Sequence, residues 1–138
     1  MTLPAARRLP EIIAPDPDVS GRIVVVQAGA DLPFTPARVY WIHGMRAGEA
    51  RGAHGHRRLT QAIVAVAGAV RFELDDGTAR SVHVLDHPAQ MLIVPPGHWR
   101  DFTALAAGTT LLVLASDPYD EQDYIRNYRD FLAFKGLA

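Results

Sequence analysis

Residues 48–68 read Gly-Glu-Ala-Arg-Gly-Ala-His-Gly-His-Arg-Arg-Leu-Thr-Gln-Ala-Ile-Val-Ala-Val-Ala-Gly, and the rest of the chain is best read outward from them. His54 and His56 stand two residues apart. In extended backbone, side chains at i and i+2 share a face, so the two imidazoles converge on one region. Upstream, Gly44 to Gly55 carries glycines and charges and reads as a loop. Downstream, Leu59 to Ala67 is a β-prone run that resumes after Gly68 as Ala69 to Leu74.

The same punctuation continues in both directions. Arg22 to Gln27 and Arg38 to Ile42 are β-branched and aromatic runs before the loop. Asp75-Asp76-Gly77 is a hairpin turn, because Asp-Gly tolerates the positive φ of a tight turn, and Arg80 to Leu85 returns as its partner. Met91 to Val94 ends at Pro95-Pro96-Gly97, where two prolines lack the N–H groups a ladder needs. His98 to Leu105 and Thr109 to Ser116 follow. The count of about eight short strands, separated by turns, is that of an all-β jelly-roll barrel. Pro4 to Asp18 suits an extended arm. In the tail, Asp120 can cap a helix to about Phe134, with Tyr124, Tyr128, Phe131 and Leu132 on one face. An extended edge strand over Tyr124 to Tyr128 is the alternative. The expected layout is one domain over residues 1–138: an arm at 1–20, a barrel at 21–116 and a tail at 117–138.

Composition bounds the function. The chain has 138 residues, 49% of them apolar, with 14 basic against 15 acidic side chains and a net charge of −1. That balance leaves no basic footprint for nucleic acid or a membrane surface, so an anionic ligand must be held by a few local arginines. The absence of cysteine excludes disulfides and thiolate metal sites. With no apolar run of spanning or signal-peptide length, the expected location is the cytoplasm.

The spacing around the histidines is specific: Gly48, five residues, His54-Gly55-His56, four residues, Gln61, six residues, Gly68. It resembles the first motif of the cupin superfamily, and implies a cupin jelly roll (double-stranded β-helix) with a short C-terminal helix. In metal-binding cupins a glutamate and a second-motif histidine join the pair. Gln61 stands at the glutamate position, and Arg100, in Pro95-Pro96-Gly97-His98-Trp99-Arg100, stands at the histidine position. An arginine facing the same cavity repels a divalent cation, so no metal and no cofactor are expected. Two imidazoles and an arginine instead suit proton transfer.

A narrower resemblance covers Arg38 to Phe134. The segments Arg38-Val39-Tyr40-Trp41-Ile42, Arg51-Gly52-Ala53-His54-Gly55-His56-Arg57, Leu74-Asp75-Asp76-Gly77, Leu112-Val113-Leu114-Ala115-Ser116 and Asp123-Tyr124-Ile125-Arg126-Asn127-Tyr128 are similar to the sugar 3,4-ketoisomerase family. Those enzymes convert dTDP-4-keto-6-deoxyglucose to a 3-keto-6-deoxyhexose on the route to deoxyaminosugars, and are homodimers that exchange N-terminal strands. The resemblance implies catalysis by His54 and His56, with Tyr40 relaying or orienting a proton. It also implies a nucleotide-sugar substrate held by Arg51, Arg100, Gln61 and Trp99. Departures are Val19-Ser20-Gly21 in place of the family's Asp-x-Arg-Gly element, where Arg22 is the candidate substitute, with Gln27, Arg57 and Thr60 at three further family positions. Two alternatives carry other chemistry: a metal-dependent cupin such as a dioxygenase using His54, His56 and His98 with Gln61, and a non-catalytic nucleotide-sugar-binding cupin.

Overall fold

The computed structural model describes residues 4–138. Strands β1 (Ala5–Arg8), β9 (Gln90–Val94), β6 (Gln61–Ala67), β11 (Thr109–Ala115) and β4 (Arg38–Met45) form one sheet, in that order. A second sheet has the order β12 (Tyr124–Ile125), β5 (Ala50–His56), β10 (Trp99–Ala104), β7 (Val70–Asp75), β8 (Arg80–Leu85). A separate ribbon pairs β2 (Glu11–Ile13) with β3 (Arg22–Val24). Every pairing between these strands is antiparallel. One helix, α1 (Tyr128–Phe134), closes the chain.

The two sheets pack face to face as a jelly roll. Ile63, Leu92, Leu111 and Val113 of the first sheet meet Phe72, Leu74 and Phe102 of the second in one buried cluster, and the Phe72 and Phe102 rings stack. Strand alternation explains the choice of side chains: on β4, Tyr40 and Ile42 pack against this core while Val39 and Trp41 are exposed. The unbroken apolar run of β6 has a different cause, because both its faces are covered. Ile63 and Ala65 point into the barrel, whereas Ala62 and Val64 pack outward against Leu9 and Leu32 from the N-terminal segment. Burying each such large side chain contributes about 1.5–3 kcal/mol, so the segment expected as an arm also covers one face of the barrel.

Three sequence expectations are corrected. The loop expected over Gly44 to Gly55 shrinks to residues 46–49, because β4 runs on to Met45 and β5 begins at Ala50 to pair with β10. The first β-branched run stops at Val24. The tail is not one helix: Asp120 caps only a 3-10 turn at Glu121–Asp123, and Asn127 caps α1 by accepting from the Asp130 N–H. Between them Tyr124 and Ile125 take the extended alternative and pair with His56 and Gly55 on the edge of β5. That edge offers backbone partners a helix there would forgo.

One irregularity positions the site. The register of β5 against β10 passes from Arg100–His54 to Asp101–Gly52, leaving Ala53 unpaired. Gly52 and Ala53 both have positive φ, at 105° and 57°. This bulge lets Arg51 and His54, three residues apart, border the same cavity, which simple alternation forbids. A Cβ at Gly52 meets the Arg100 carbonyl oxygen at 2.7 Å. Replacing Gly52 by alanine is expected to cost on the order of 1–3 kcal/mol, read as a lower urea midpoint with unchanged slope; an unaltered midpoint contradicts the bulge's dependence on glycine.

Candidate active site

The barrel holds a cavity of about 450 Å³ that opens to solvent. Its inner wall is apolar, from Ile42, Ile63, Phe72, Phe102, Leu111 and Val113. Polar groups enter from particular strands: Arg38 and Tyr40 from β4, Arg51 and His54 from β5, Gln61 from β6 and Arg100 from β10. Tyr119, Tyr124 and Arg126 close the remaining side from the tail. An apolar pocket with few convergent polar groups is the form small-molecule sites take.

The two histidines occupy different layers. His54 borders the cavity, and its Nδ1–H donates to the Gly52 carbonyl at 3.2 Å, leaving Nε2 as the basic nitrogen. His56 lies behind it, 0% exposed, with the ring edge-on to His54 at a centroid distance of 5.0 Å. Since a carboxylate only accepts, the His56 Nδ1–H donates to Asp123 Oδ2 at 2.9 Å, and His56 Nε2 is buried without a partner. Asp123 is fixed in turn by the Arg58 backbone N–H at 2.7 Å. Tyr124 packs against both imidazoles. Gly55, between them, is where Phe131 of α1 docks, 3.1 Å from the position a Cβ would take.

Arg100 sets the electrostatics. It is 2% exposed, yet its guanidinium reaches only neutral acceptors: Gln61 Oε1 and the His98 carbonyl at 3.1 Å. No carboxylate among the described residues forms an ion pair with it. Burial brings its pKa down to about 10, so it remains a cation at neutral pH. Burial, then the charge of Arg100, lowers His54 from 6.5 to about 4. For His56, burial with Arg100 and His54 outweighs the pull of Asp123, and the ring stays neutral. Burial opposes the Asp123 charge, but the Arg58 N–H and His56 bonds prevail, and its pKa lies below the usual carboxylate value. Burial raises Tyr40, keeping it a phenol. Gln61 Nε2 donates to the Tyr40 hydroxyl oxygen at 2.8 Å.

Of the residues expected at the site, His54, Tyr40, Arg51, Arg100 and Gln61 border the cavity together. His56 is one layer back. Trp99 is not there: alternation on β10 turns it outward, away from Arg100, to pack against Tyr128 and Phe131. His98, the candidate fourth metal ligand, has its Nδ1 facing the Pro95 and Pro96 carbonyls and borders a separate depression with His83. Arg22 pairs with Glu11 in the ribbon. Among the described residues no three His, Cys, Asp or Glu side chains converge as a metal-ligating group, and no helix is long and apolar enough to cross a membrane. Asp123, Tyr124, Tyr119, Arg38 and Arg126 were not expected at the site. A buried histidine demands an acceptor, and that demand was the available pointer to an acid such as Asp123.

Fold and cavity define a cupin jelly roll that holds a neutral imidazole and a buried cation against an apolar wall. The chain matches the family model described as FdtA: WxcM-like, C-terminal, over residues 5–136, and belongs to that family. It is 40% identical over 114 residues, 83% of this chain and 82% of the other, to TDP-4-oxo-6-deoxy-alpha-D-glucose-3,4-oxoisomerase of Aneurinibacillus thermoaerophilus. Among solved structures it is similar to a 3,4-ketoisomerase from Helicobacter canadensis (TM-score 0.88, 29% identity, 96% and 97% of the two chains). It is also similar to QdtA, a sugar 3,4-ketoisomerase from Thermoanaerobacterium thermosaccharolyticum in complex with TDP (TM-score 0.88, 32% identity, 96% and 94%).

The depressed basicity of His54 has a sign that can be checked. An unfolded chain protonates this ring near 6.5, the folded one only near 4. Its contribution to stability is therefore complete above about pH 6.5 and is lost as the pH falls through that window. An NMR titration is expected to place half-protonation of His54 near 4, and Arg100→Met to move it upward. A His54 midpoint near 6.5 in the unaltered protein, or one indifferent to Arg100→Met, contradicts the assignment.

Proposed function

We propose that this chain is a sugar 3,4-ketoisomerase that moves the ketone of a thymidine-diphosphate-linked 4-keto-6-deoxyhexose from C4 to C3 by proton transfer through an enediol. The observation that carries the reading is a neutral imidazole, His54, sharing one apolar cavity with a buried cation and a phenol. Family membership and the 40% identical oxoisomerase support the substrate class.

His54 Nε2 takes the proton from C3, beside the ketone, and the C–H electron pair forms the C3–C4 double bond while the carbonyl pair moves to the C4 oxygen. Arg100 and the Tyr40 hydroxyl meet that oxyanion beside an apolar wall, where such preorganised donors act strongly. The proton of the C3 hydroxyl passes to the C4 oxyanion, the His54 imidazolium returns its proton to C4, and the C3 oxygen becomes the ketone. His56, held by Asp123, backs His54 and keeps a second unprotonated nitrogen beside it. Arg38, Arg51 and Arg126, which line the cavity, would pair with the diphosphate. A metal-dependent reaction is the weaker reading, because the Arg100 guanidinium points at Gln61 where a cation would need ligands.

A homodimer is part of this proposal. Ile12 and Ile23 face each other across the β2–β3 ribbon, and both are more than half exposed, as is Trp41 at 62% on the outer face of edge strand β4. A two-stranded ribbon with bare isoleucines is marginal alone, and a second copy of the chain supplies the cover. We place the protein in the cytoplasm, in keeping with its lack of cysteine.

His54→Asn is expected to lower kcat by about 10³-fold or more while TDP binding survives, and the wild-type kcat/KM is expected to hold from pH 8 to 6 and fall only toward the His54 value near 4. Activity retained by His54→Asn removes the base. In analytical ultracentrifugation the protein is expected at twice the chain mass and Trp41→Glu nearer to one; a monomeric wild type contradicts the dimer.

A further inference from the structure

We infer that Gln61 is a positioning residue, fixing the direction in which the Tyr40 hydroxyl donates, and not a substrate-binding group. The inference rests on the ketoisomerase reading of the cavity. A guanidinium has donors only, so the amide atom facing Arg100 must be the oxygen. Arg100 cannot swing away, because its other arm is tied to the His98 carbonyl at 3.1 Å and the side chain is 2% exposed. With Oε1 fixed on Arg100, the amide NH₂ of Gln61 must face Tyr40, whose oxygen accepts at 2.8 Å. Gln61 is itself 3% exposed, so no solvent competes for either end.

A hydroxyl has one proton. With its oxygen accepting from Gln61, the Tyr40 O–H is free to point elsewhere, and the space beside it is the cavity that Tyr40, Gln61, His54 and Arg100 share. The chain Arg100 to Gln61 to Tyr40 thus runs donor to acceptor in one direction and delivers a proton donor to the substrate oxygen. A glutamate at this position does the opposite: its carboxylate accepts from Arg100 and from Tyr40, and the phenol turns its proton inward. Changing the amide nitrogen to oxygen reverses the site without changing its shape.

The test is a double-mutant cycle with two readouts. Tyr40→Phe is expected to lower kcat about 10²-fold, the usual range for losing one such donor. Gln61→Glu is expected to lower kcat by a similar factor, with KM within about 3-fold, and adding Tyr40→Phe to it should cost less than about 3-fold more. In Gln61→Met, of similar length but without polarity, Tyr40→Phe should still cost about 10-fold or more. Equal Tyr40→Phe penalties in wild type and Gln61→Glu, or a Tyr40→Phe penalty that vanishes in Gln61→Met, overturn the inference. The second readout needs no turnover. With fluorinated tyrosine and the Tyr40 signal identified by its loss in Tyr40→Phe, ¹⁹F NMR should show Tyr40 ionising at higher pH in Gln61→Glu, and at a smaller increase in Gln61→Met. An unchanged Tyr40 titration in Gln61→Glu overturns the inference on its own. Should the titration shift as expected while the wild type leaves the sugar untouched, the polarity of Tyr40 stands and the ketoisomerase reading falls.

Discussion

A guanidinium buried without a carboxylate is the constraint on which this structure turns. Placing Arg100 inside the barrel with only Gln61 and a backbone carbonyl as acceptors leaves its charge available, and removing a charge from water at such a site is costly unless something offsets it. Burial, and after it the same charge, lowers the basicity of His54 and His56. In the proposed reaction one buried cation thus helps to keep the base neutral and also meets the oxyanion. Where metal-binding cupins gather donors around a cation, this barrel supplies the cation as part of the protein.

The rest of the fold serves that arrangement. The β5 bulge at Gly52 and Ala53 aims Arg51 and His54 together and lays Gly52 against the Arg100 backbone. The tail then completes the wall. Asp123 reaches back to His56, Tyr124 lies on both imidazoles, Asn127 caps α1, and the Tyr128 hydroxyl donates to Asp75 at 2.6 Å on the far hairpin. A segment that is irregular by secondary structure is thus held at both ends and carries the second layer of the site.

Much of this was legible in the sequence. The Arg80 to Leu85 strand, the Asp-Gly hairpin and the proline stop after Val94 have local causes, and local causes are visible in one dimension. The histidine frame pointed to His54 at the cavity, and alternation on β4 left one of Tyr40 and Trp41 to face inward. What escaped depends on pairing at a distance. Tyr124 and Ile125 become a strand only because β5 presents a free edge, and helical spacing in the tail pointed elsewhere. Trp99 was expected beside Arg100, yet neighbours on a strand face opposite ways. That His56 sits behind His54 rather than beside it follows from Asp123, 67 residues away, and no spacing rule reaches that far.

In the proposed reaction this barrel uses a resident cation and a neutral imidazole to carry a proton between adjacent carbons. This is tested most directly by following TDP-4-keto-6-deoxyglucose by NMR with the purified protein in D₂O. A growing 3-keto sugar is expected, with deuterium at C4 of the product and at C3 of recovered substrate. A sugar that keeps its C3 proton through prolonged incubation, with no 3-keto signal, contradicts it.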